Sequence, residues 1–207
     1  MIGETIIIDK LKKGQEFNVF DAEKKIFLIF LTDANNQHGD VKIQIQGKNA
    51  HVQILGLIIG SGDQQIKLYT FQDHQQKESV SDLFIKSVLF DKSRFHYEGL
   101  IKIEKGAQKS NAYQKNQNLI MSPQAWAESK PYLEILANDV RCTHGATIGR
   151  LDKEQLYYLE TRGLSEKEAT TLLVQGFCQD ILDRLPDKNI KDKLQEKIEK
   201  KVRNLLN

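Results

Sequence analysis

The sequence is poor in the residues that cross-link or stiffen a chain. Its 207 residues include two cysteines, Cys142 and Cys178, three prolines and one tryptophan. Two cysteines are too few for the disulfide framework on which small secreted domains rely. We therefore expect both thiols to be reduced and the protein to be cytoplasmic.

Long apolar runs are missing as well. The two longest, at residues 26–31 and at residues 54–59 with Gly56 inside it, are six residues each, whereas a helix needs roughly 18 apolar residues to span a bilayer. Residues 1–4 lack the basic and then apolar layout of a signal peptide. The sequence therefore predicts no membrane partner.

The sequence also lacks a large excess of one charge. Its formal net charge is +2, and its lysines and arginines are not interleaved with aromatic residues. A nucleic-acid surface needs a basic patch with such aromatic residues, so we expect no nucleic-acid partner. The composition is that of a folded chain, long enough for one large domain or two small ones.

Sequence motifs of enzyme sites are absent. The chain has no G-x-x-x-x-G-K-[ST] or G-x-G-x-x-G loop for phosphates and no G-x-S-x-G nucleophile turn. Glu134 and Asp139, with Thr143 and Thr147 nearby in sequence, form no recognisable triad or dyad. We interpret the chain as a protein without catalysis of its own.

What the sequence does contain is a long series of short apolar runs. Val41, Ile43 and Ile45 alternate with polar residues, the period of a half-buried strand. Similar runs follow at 52–59, 66–69, 83–85, 95–97 and 100–103. The pattern fits an antiparallel sandwich or a parallel solenoid whose coils stack strand on strand. The absence of the hairpin signals Asn-Gly and Asp-Gly favours the solenoid without excluding the sandwich.

Around this series the pattern is less regular. Short strands are also predicted at 5–8 and 25–31. Residues 105–117 are polar. We interpret residues 122–130, which contain Trp126, as an excursion from the strand pattern. Pro131 is then predicted to open a strand that ends at Leu136.

From Leu151 the apolar residues change to helical spacing. Asp152 and Gln155 form one predicted capping box, and Ser165 and Glu168 form a second. Gly163 follows the first helix as a left-handed C′ residue would. The sequence therefore predicts a β domain at 1–150 and a helical domain at 151–207.

The last predicted helix, 188–206, is basic and has a narrow apolar stripe. The stripe consists of Ile190, Leu194, Ile198, Val202 and Leu205. Such a stripe packs on its own domain or contacts another subunit, and the sequence leaves both open.

Cys142 and His144 stand at the change of period. Residues i and i+2 of a strand point to the same side, and thiolate and imidazole are both metal ligands. Two ligands do not complete a metal site, so the residues alone favour a small buried cysteine beside a hydrogen-bonded histidine over a metal role. We expect Cys178 to be a packing residue. Four histidines have polar neighbours and are predicted at the surface: His38, His51, His74 and His96.

Several motifs in residues 91–186 occur together in an order that resembles the SufB/SufD family of iron–sulfur cluster assembly proteins. They are YEGLIKI at 97–103, KPYLEI at 130–135, DVRCTHGATIG at 139–149, EQLYYL at 154–159 and RGLS at 162–165. The resemblance implies a right-handed parallel β-helix followed by a small helical domain.

The resemblance also implies a function. Members are scaffold subunits on which an iron–sulfur cluster is assembled before transfer, and they pair through their β-helices. Their helical domains dock the ATPase SufC, which implies an ATPase-binding surface here. Its expected residues are Gln155, Leu156, Tyr157, Tyr158, Arg162 and Gly163.

Within the family the chain looks more like SufD than SufB. SufB members carry a cysteine at the position of Asn116 and a glutamate at that of Gly145. The resemblance implies that His144, with Cys142 as a second candidate, ligates a transient cluster shared with a SufB-like paralogue or a second copy. Typical members are longer and have an N-terminal helical region. A β-solenoid enzyme or carbohydrate-binding module is the alternative, and it would need converging carboxylates on one face.

Overall fold

A computed structural model describes residues 4–33 and 35–206, which form eleven strands and three helices. Residues 1–3, which enter the signal-peptide prediction, lie outside the described part. The strands are β1 (Glu4–Ile8), β2 (Gln15–Val19), β3 (Lys24–Leu31), β4 (Gln37–Ile45), β5 (His51–Gly60), β6 (Gln65–His74), β7 (Val80–Leu89), β8 (Arg94–Ile103), β9 (Asn111–Ile120), β10 (Trp126–Ile135) and β11 (Arg141–Gly149). The helices are α1 (Lys153–Thr161), α2 (Glu166–Leu182) and α3 (Lys188–Leu205).

The strands alternate between two sheets in which every pairing is parallel. Sheet A has the order β1-β3-β5-β7-β9-β11, and sheet B has the order β10-β8-β6-β4-β2. Lys24 pairs with His51, His51 with Val80 and Val80 with Asn111, so one coil takes about 30 residues. The parallel solenoid is confirmed and the sandwich alternative is wrong, while the hand of the coil stays a prediction.

Side chains alternate across β3 and show how the core is divided. Phe27, Ile29 and Leu31 point into the interior between the two sheets. Ile26, Leu28 and Phe30 point to the outer face of sheet A, where they pack against the helices. Both faces of the strand are therefore buried, which is why residues 26–31 read as a continuous apolar run.

The helices cover the outer face of sheet A. Val174, Cys178 and Ile181 of α2 belong to one apolar cluster with Leu194, Ile198 and Val202 of α3 and with the strands beneath. The stripe of the last helix thus packs on its own chain, and the packing role of Cys178 is confirmed. Because helices and solenoid share this cluster, the division into domains at residue 150 stays a prediction.

The coils repeat in backbone conformation even where their side chains do not. A residue with positive φ stands two places before each of four successive strands of sheet A: Ala22, Asn49, Glu78 and Lys109. At another turn the Asp91 carboxylate accepts a hydrogen bond from the backbone N–H of Gly62 in the preceding coil, at 2.8 Å. Such corner bonds hold neighbouring coils in register.

Two parts of the predicted strand pattern are corrected. Residues 111–120 form β9, although most of this strand falls in the segment 105–117 that the sequence marks as polar, because its interior side chains are mainly amides rather than aliphatic groups. Strand β10 begins at Trp126 and contains Pro131 in its middle. Proline is tolerated there because β10 is the last strand of sheet B.

The N-caps predicted at Asp152 and Ser165 are confirmed, and of the two predicted capping boxes the structure shows the one at Ser165 and Glu168. The backbone N–H of Glu168 donates to Ser165 Oγ and that of Ser165 donates to Glu168 Oε2, which completes the capping box of α2. The Asp152 carboxylate caps α1 by accepting from the N–H of Glu154. Gly163 follows the C-cap with φ of +94°, a conformation that favours glycine.

Candidate functional site

Strand β11 places Cys142 and His144 on one side of the last coil. Cys142 lies opposite Ala112 and His144 lies opposite Gln114 in the parallel pairing with β9. Both neighbours are buried interior residues. The two candidate ligands therefore continue the interior side of sheet A at the end where the solenoid stops.

Cys142 is half-buried in a small apolar cluster. It packs against the group that contains Ile101, Ala112 and Ala137. Desolvation raises the pKa of its thiol, so Cys142 is protonated at neutral pH. A protonated thiol ligates a metal only after losing its proton, which suits the packing interpretation at least as well as the ligand interpretation.

His144 is exposed on the same strand. Within residues 4–33 and 35–206, no three His, Cys, Asp or Glu side chains are grouped so that they could hold a metal ion. Cys142 and His144 therefore lack a third such ligand in the described part of the chain, and their role as ligands stays a prediction.

The last coil leaves an apolar end of the solenoid open. Strands β10 and β11 are the terminal strands of their sheets. Leu133 and Ile135 of β10 and Ile148 of β11 continue the interior side, yet all three are exposed, Ile148 by 52%. Unpaired strand edges beside exposed apolar side chains form a surface suited to pairing with another chain.

Asn116 lies beneath this open end, at the position where the resemblance implies a cysteine in SufB members. Its side chain is buried and donates to the carbonyl of Ile85 at 3.2 Å, while its Oδ1 accepts from Asn118 Nδ2 at 2.7 Å. Asn118 also donates to the Thr147 carbonyl on β11. These hydrogen bonds tie the last two strands of sheet A together.

Helix α1 forms a second exposed surface. It has no buried residue, and Tyr157 and Tyr158 are exposed by 68% and 56%. The Arg162 guanidinium lies 5.1 Å from the centre of the Tyr158 ring. These residues belong to the predicted ATPase-binding set, and the structure brings them together on one small helix and its C-terminal turn.

A cavity of about 560 Å³ lies between α1, α2 and the end of β11, and Gln155 lines it. Lys86, which the sequence analysis missed, also lines it. Its side chain is 3% exposed, and its Nζ donates to the Phe177 carbonyl at 2.7 Å and to the Asp180 carboxylate. Burial lowers the pKa of Lys86, and Asp180 offsets part of that shift. A single lysine within the apolar residues 83–90 was the available signal.

The prediction that four histidines lie at the surface is wrong for His74. His74 is buried in the interior, where its Nδ1 and Nε2 lie 2.8 Å from the hydroxyls of Ser79 and Ser81. Burial lowers the pKa of its imidazole to about 4. The surface prediction is confirmed for His38 and His51, whereas His96 is partly buried between Glu98 and Glu128.

Comparison with known proteins shows which family carries this arrangement. The family model described as the SufBD core domain of SUF system FeS cluster assembly matches residues 22–177. The chain belongs to this family. The SufBD core match covers the solenoid from the turn before β3 to the end of β11, together with α1 and the first part of α2, whereas β1, β2 and α3 lie outside it.

Curated members of the SufBD family include iron–sulfur cluster assembly proteins named SufD. The chain is 32% identical to SufD of Escherichia coli K12 over 155 residues, which are 75% of this chain and 37% of that protein. It is 35% identical to SufD of Bacillus subtilis 168 over 147 residues, which are 71% and 34%. The chain thus spans about a third of the length of these relatives. No helix in the described part combines the length and apolar character needed to cross a membrane.

Proposed function

We propose that this SufBD-family chain is a SufD-like scaffold subunit of a Suf-type iron–sulfur cluster assembly complex, without catalysis of its own. The observation that carries the proposal is the family match over residues 22–177. The Cys-x-His motif stands within that match on the exposed last strand.

The chain pairs through the open end of its solenoid. The exposed Leu133, Ile135 and Ile148 supply the apolar centre of the interface, and the free edges of β10 and β11 supply backbone hydrogen-bonding groups. The partner is a SufB-like paralogue or a second copy of this chain.

The growing cluster is the cargo of this interface. Iron–sulfur clusters are held mainly by cysteine thiolates, and this chain has Asn116 where SufB members carry a thiol. The partner subunit therefore supplies the sulfur ligands, and the exposed imidazole of His144 supplies a nitrogen ligand from this side. Cys142 is the second candidate on the same side of the strand.

The ATPase docks on α1. Tyrosine and arginine are the residue types that most often dominate binding energy at interfaces, and Tyr157, Tyr158 and Arg162 are grouped there. Gln155, Leu156 and Gly163 complete the surface. A SufC-like ATPase bound at α1 would lie next to β11, since the cavity at Gln155 also contacts the end of that strand.

Anaerobic co-expression with a SufC-like ATPase and a SufB-like protein from the same genome tests this proposal. We expect a stoichiometric complex by native mass spectrometry and cluster absorption in the visible range after reconstitution. His144→Ala should reduce cluster yield while the complex persists. Thr143→Ala, an exposed neighbour on the opposite side of β11, is the matched control. The proposal would be overturned if the chain stayed monomeric in the presence of both proteins.

A second candidate function is a structural subunit that pairs and binds the ATPase but ligates no cluster. The packing of Cys142 against the apolar group of Ile101, Ala112 and Ala137 favours it. In that case His144→Ala would leave both the complex and the cluster yield unchanged.

A further inference from the structure

A second apolar surface lies far along sheet A from the open end. It is a groove of about 650 Å³ between β1 and α3. Both elements lie outside residues 22–177, the part that matches the SufBD core. The groove is therefore built mainly from segments that the family match does not explain.

The floor of the groove is the uncovered end of the sheet. Ile7 pairs with Leu28 and Leu28 with Leu55, so the three side chains form one row on the outer face of sheet A. Leu28 and Leu55 are fully buried beneath the helices, whereas Ile7 is 49% exposed. The helical layer thus stops one strand short, and a further helix beside α3 would complete it.

The wall of the groove is a row of lysines. Lys193, Lys197 and Lys200 recur at i, i+4 and i+7 on one face of α3, and the row spans about 10 Å. All three are exposed, and none of the ion pairs found among the described residues includes them. The carboxylates that line the groove are Asp9 and Glu196, so the three lysines leave it with an excess of positive charge.

We propose that this groove binds an amphipathic helix of a partner protein, with the apolar face of that helix on Ile7 and its acidic flank along the lysine row. Helices bind grooves through apolar residues at i, i+3, i+4 and i+7, and charge complementarity selects among them. A second copy docking through its own α3 is disfavoured, because that helix carries seven basic and three acidic residues. The proposal is independent of cluster assembly.

Two synthetic helical peptides of about 15 residues test the proposal on the full chain. Both peptides have leucines at i, i+3, i+4 and i+7. They differ only in the residues on both flanks of this leucine face, which are glutamates in one peptide and lysines in the other. Fluorescence anisotropy should show binding of the glutamate peptide, with affinity that weakens as salt is added, and at least tenfold weaker binding of the lysine peptide. The double variant K193E/K197E should reverse this preference, and Ile7→Glu should weaken binding of the glutamate peptide.

The control is K67E/K92E, which changes two exposed lysines outside the groove by the same charge and should leave both affinities unchanged. Equal binding of the two peptides, or binding of neither, would overturn the proposal. So would a dimer in sedimentation experiments that K193E/K197E dissociates, because the occupant would then be a second copy.

Discussion

The middle and the last coil of the solenoid have the same architecture and opposite surroundings. In β5 and β7, interior and outer side chains are both buried, the outer ones under the helices. In β11 the same alternation leaves no residue fully buried, because no further coil lies beyond it. The difference teaches that a strand's neighbours, more than its own residues, decide whether it stabilises the fold or is available to a partner.

The comparison predicts that two isoleucines on the interior side differ greatly in how much stability is lost when each is replaced by alanine. Ile54→Ala in β5 should lower the free energy of unfolding by about 2–5 kcal/mol, since it leaves a cavity in a fully buried core. Ile148→Ala in β11 should change it by less than about 0.5 kcal/mol. Urea denaturation measures the free energy of unfolding of both variants. Equal losses of stability would contradict the difference between the middle and the last coil.

His74 extends the comparison to pH. Its folded-state pKa of about 4 lies below the usual 6.5, so between these values the unfolded chain binds a proton that the folded chain does not. The contribution of the neutral His74 imidazole to the free energy of unfolding is therefore present above pH 6.5. It is lost as the pH falls toward 4, by up to about 3 kcal/mol.

Denaturation at several pH values checks this effect. His74→Gln should flatten the dependence of stability on pH in this window, and His144→Gln is the matched change in the exposed coil. An unaltered slope in His74→Gln would show that the buried imidazole is not the source.

Two glycines give a smaller contrast. A Cβ on Gly99 in β8 would clash with the Tyr97 hydroxyl and lie 2.5 Å from Gln114 Oε1, whereas one on Gly145 in β11 would meet nothing within 4 Å. Gly99→Ala should therefore cost about 1–3 kcal/mol from overpacking. Gly145→Ala should be neutral or slightly stabilising, because alanine loses less backbone entropy on folding. Thermal melting distinguishes them, and a harmless Gly99→Ala would contradict the tight interior.

The smallest expected effect concerns the attachment of α2. Asp180→Asn leaves the buried Lys86 ammonium without its carboxylate and should cost about 1–2 kcal/mol, reduced because the Asp180 side chain is 63% exposed. Asp183→Asn breaks the more exposed pair between the C-cap residue of α2 and Lys191 on α3, and it should destabilise the fold less than Asp180→Asn does. Chemical denaturation compares the two, and the reverse order would contradict this account of Lys86.

The sequence predicts the solenoid where its interior is aliphatic and fails where the interior is polar. The alternation of Val41, Ile43 and Ile45 with polar residues predicts β4. Strand β9 has the same geometry, but Gln114, Asn116 and Asn118 occupy its interior positions. Their amides are satisfied by hydrogen bonds to other strands, which a pattern of apolar residues cannot reveal.

The candidate site likewise has features that the sequence predicts and features that it does not. The position of Cys142 and His144 on one side of a strand follows from their spacing alone, whereas the surface of α1 was predicted from the family resemblance. The burial of His74 and Lys86 does not, because it depends on residues from neighbouring coils and from α2. Local sequence specifies which way a side chain points, and only the assembled coils determine what covers it.

Amide hydrogen exchange of the free chain and of its complex with a SufB-like partner tests most directly the claim that the last coil is the pairing surface. We expect β5 and β7 to be protected in both states and β10 and β11 to gain protection only in the complex. Protection gained at β1 and α3 instead, or no gain at β10 and β11, would contradict the account.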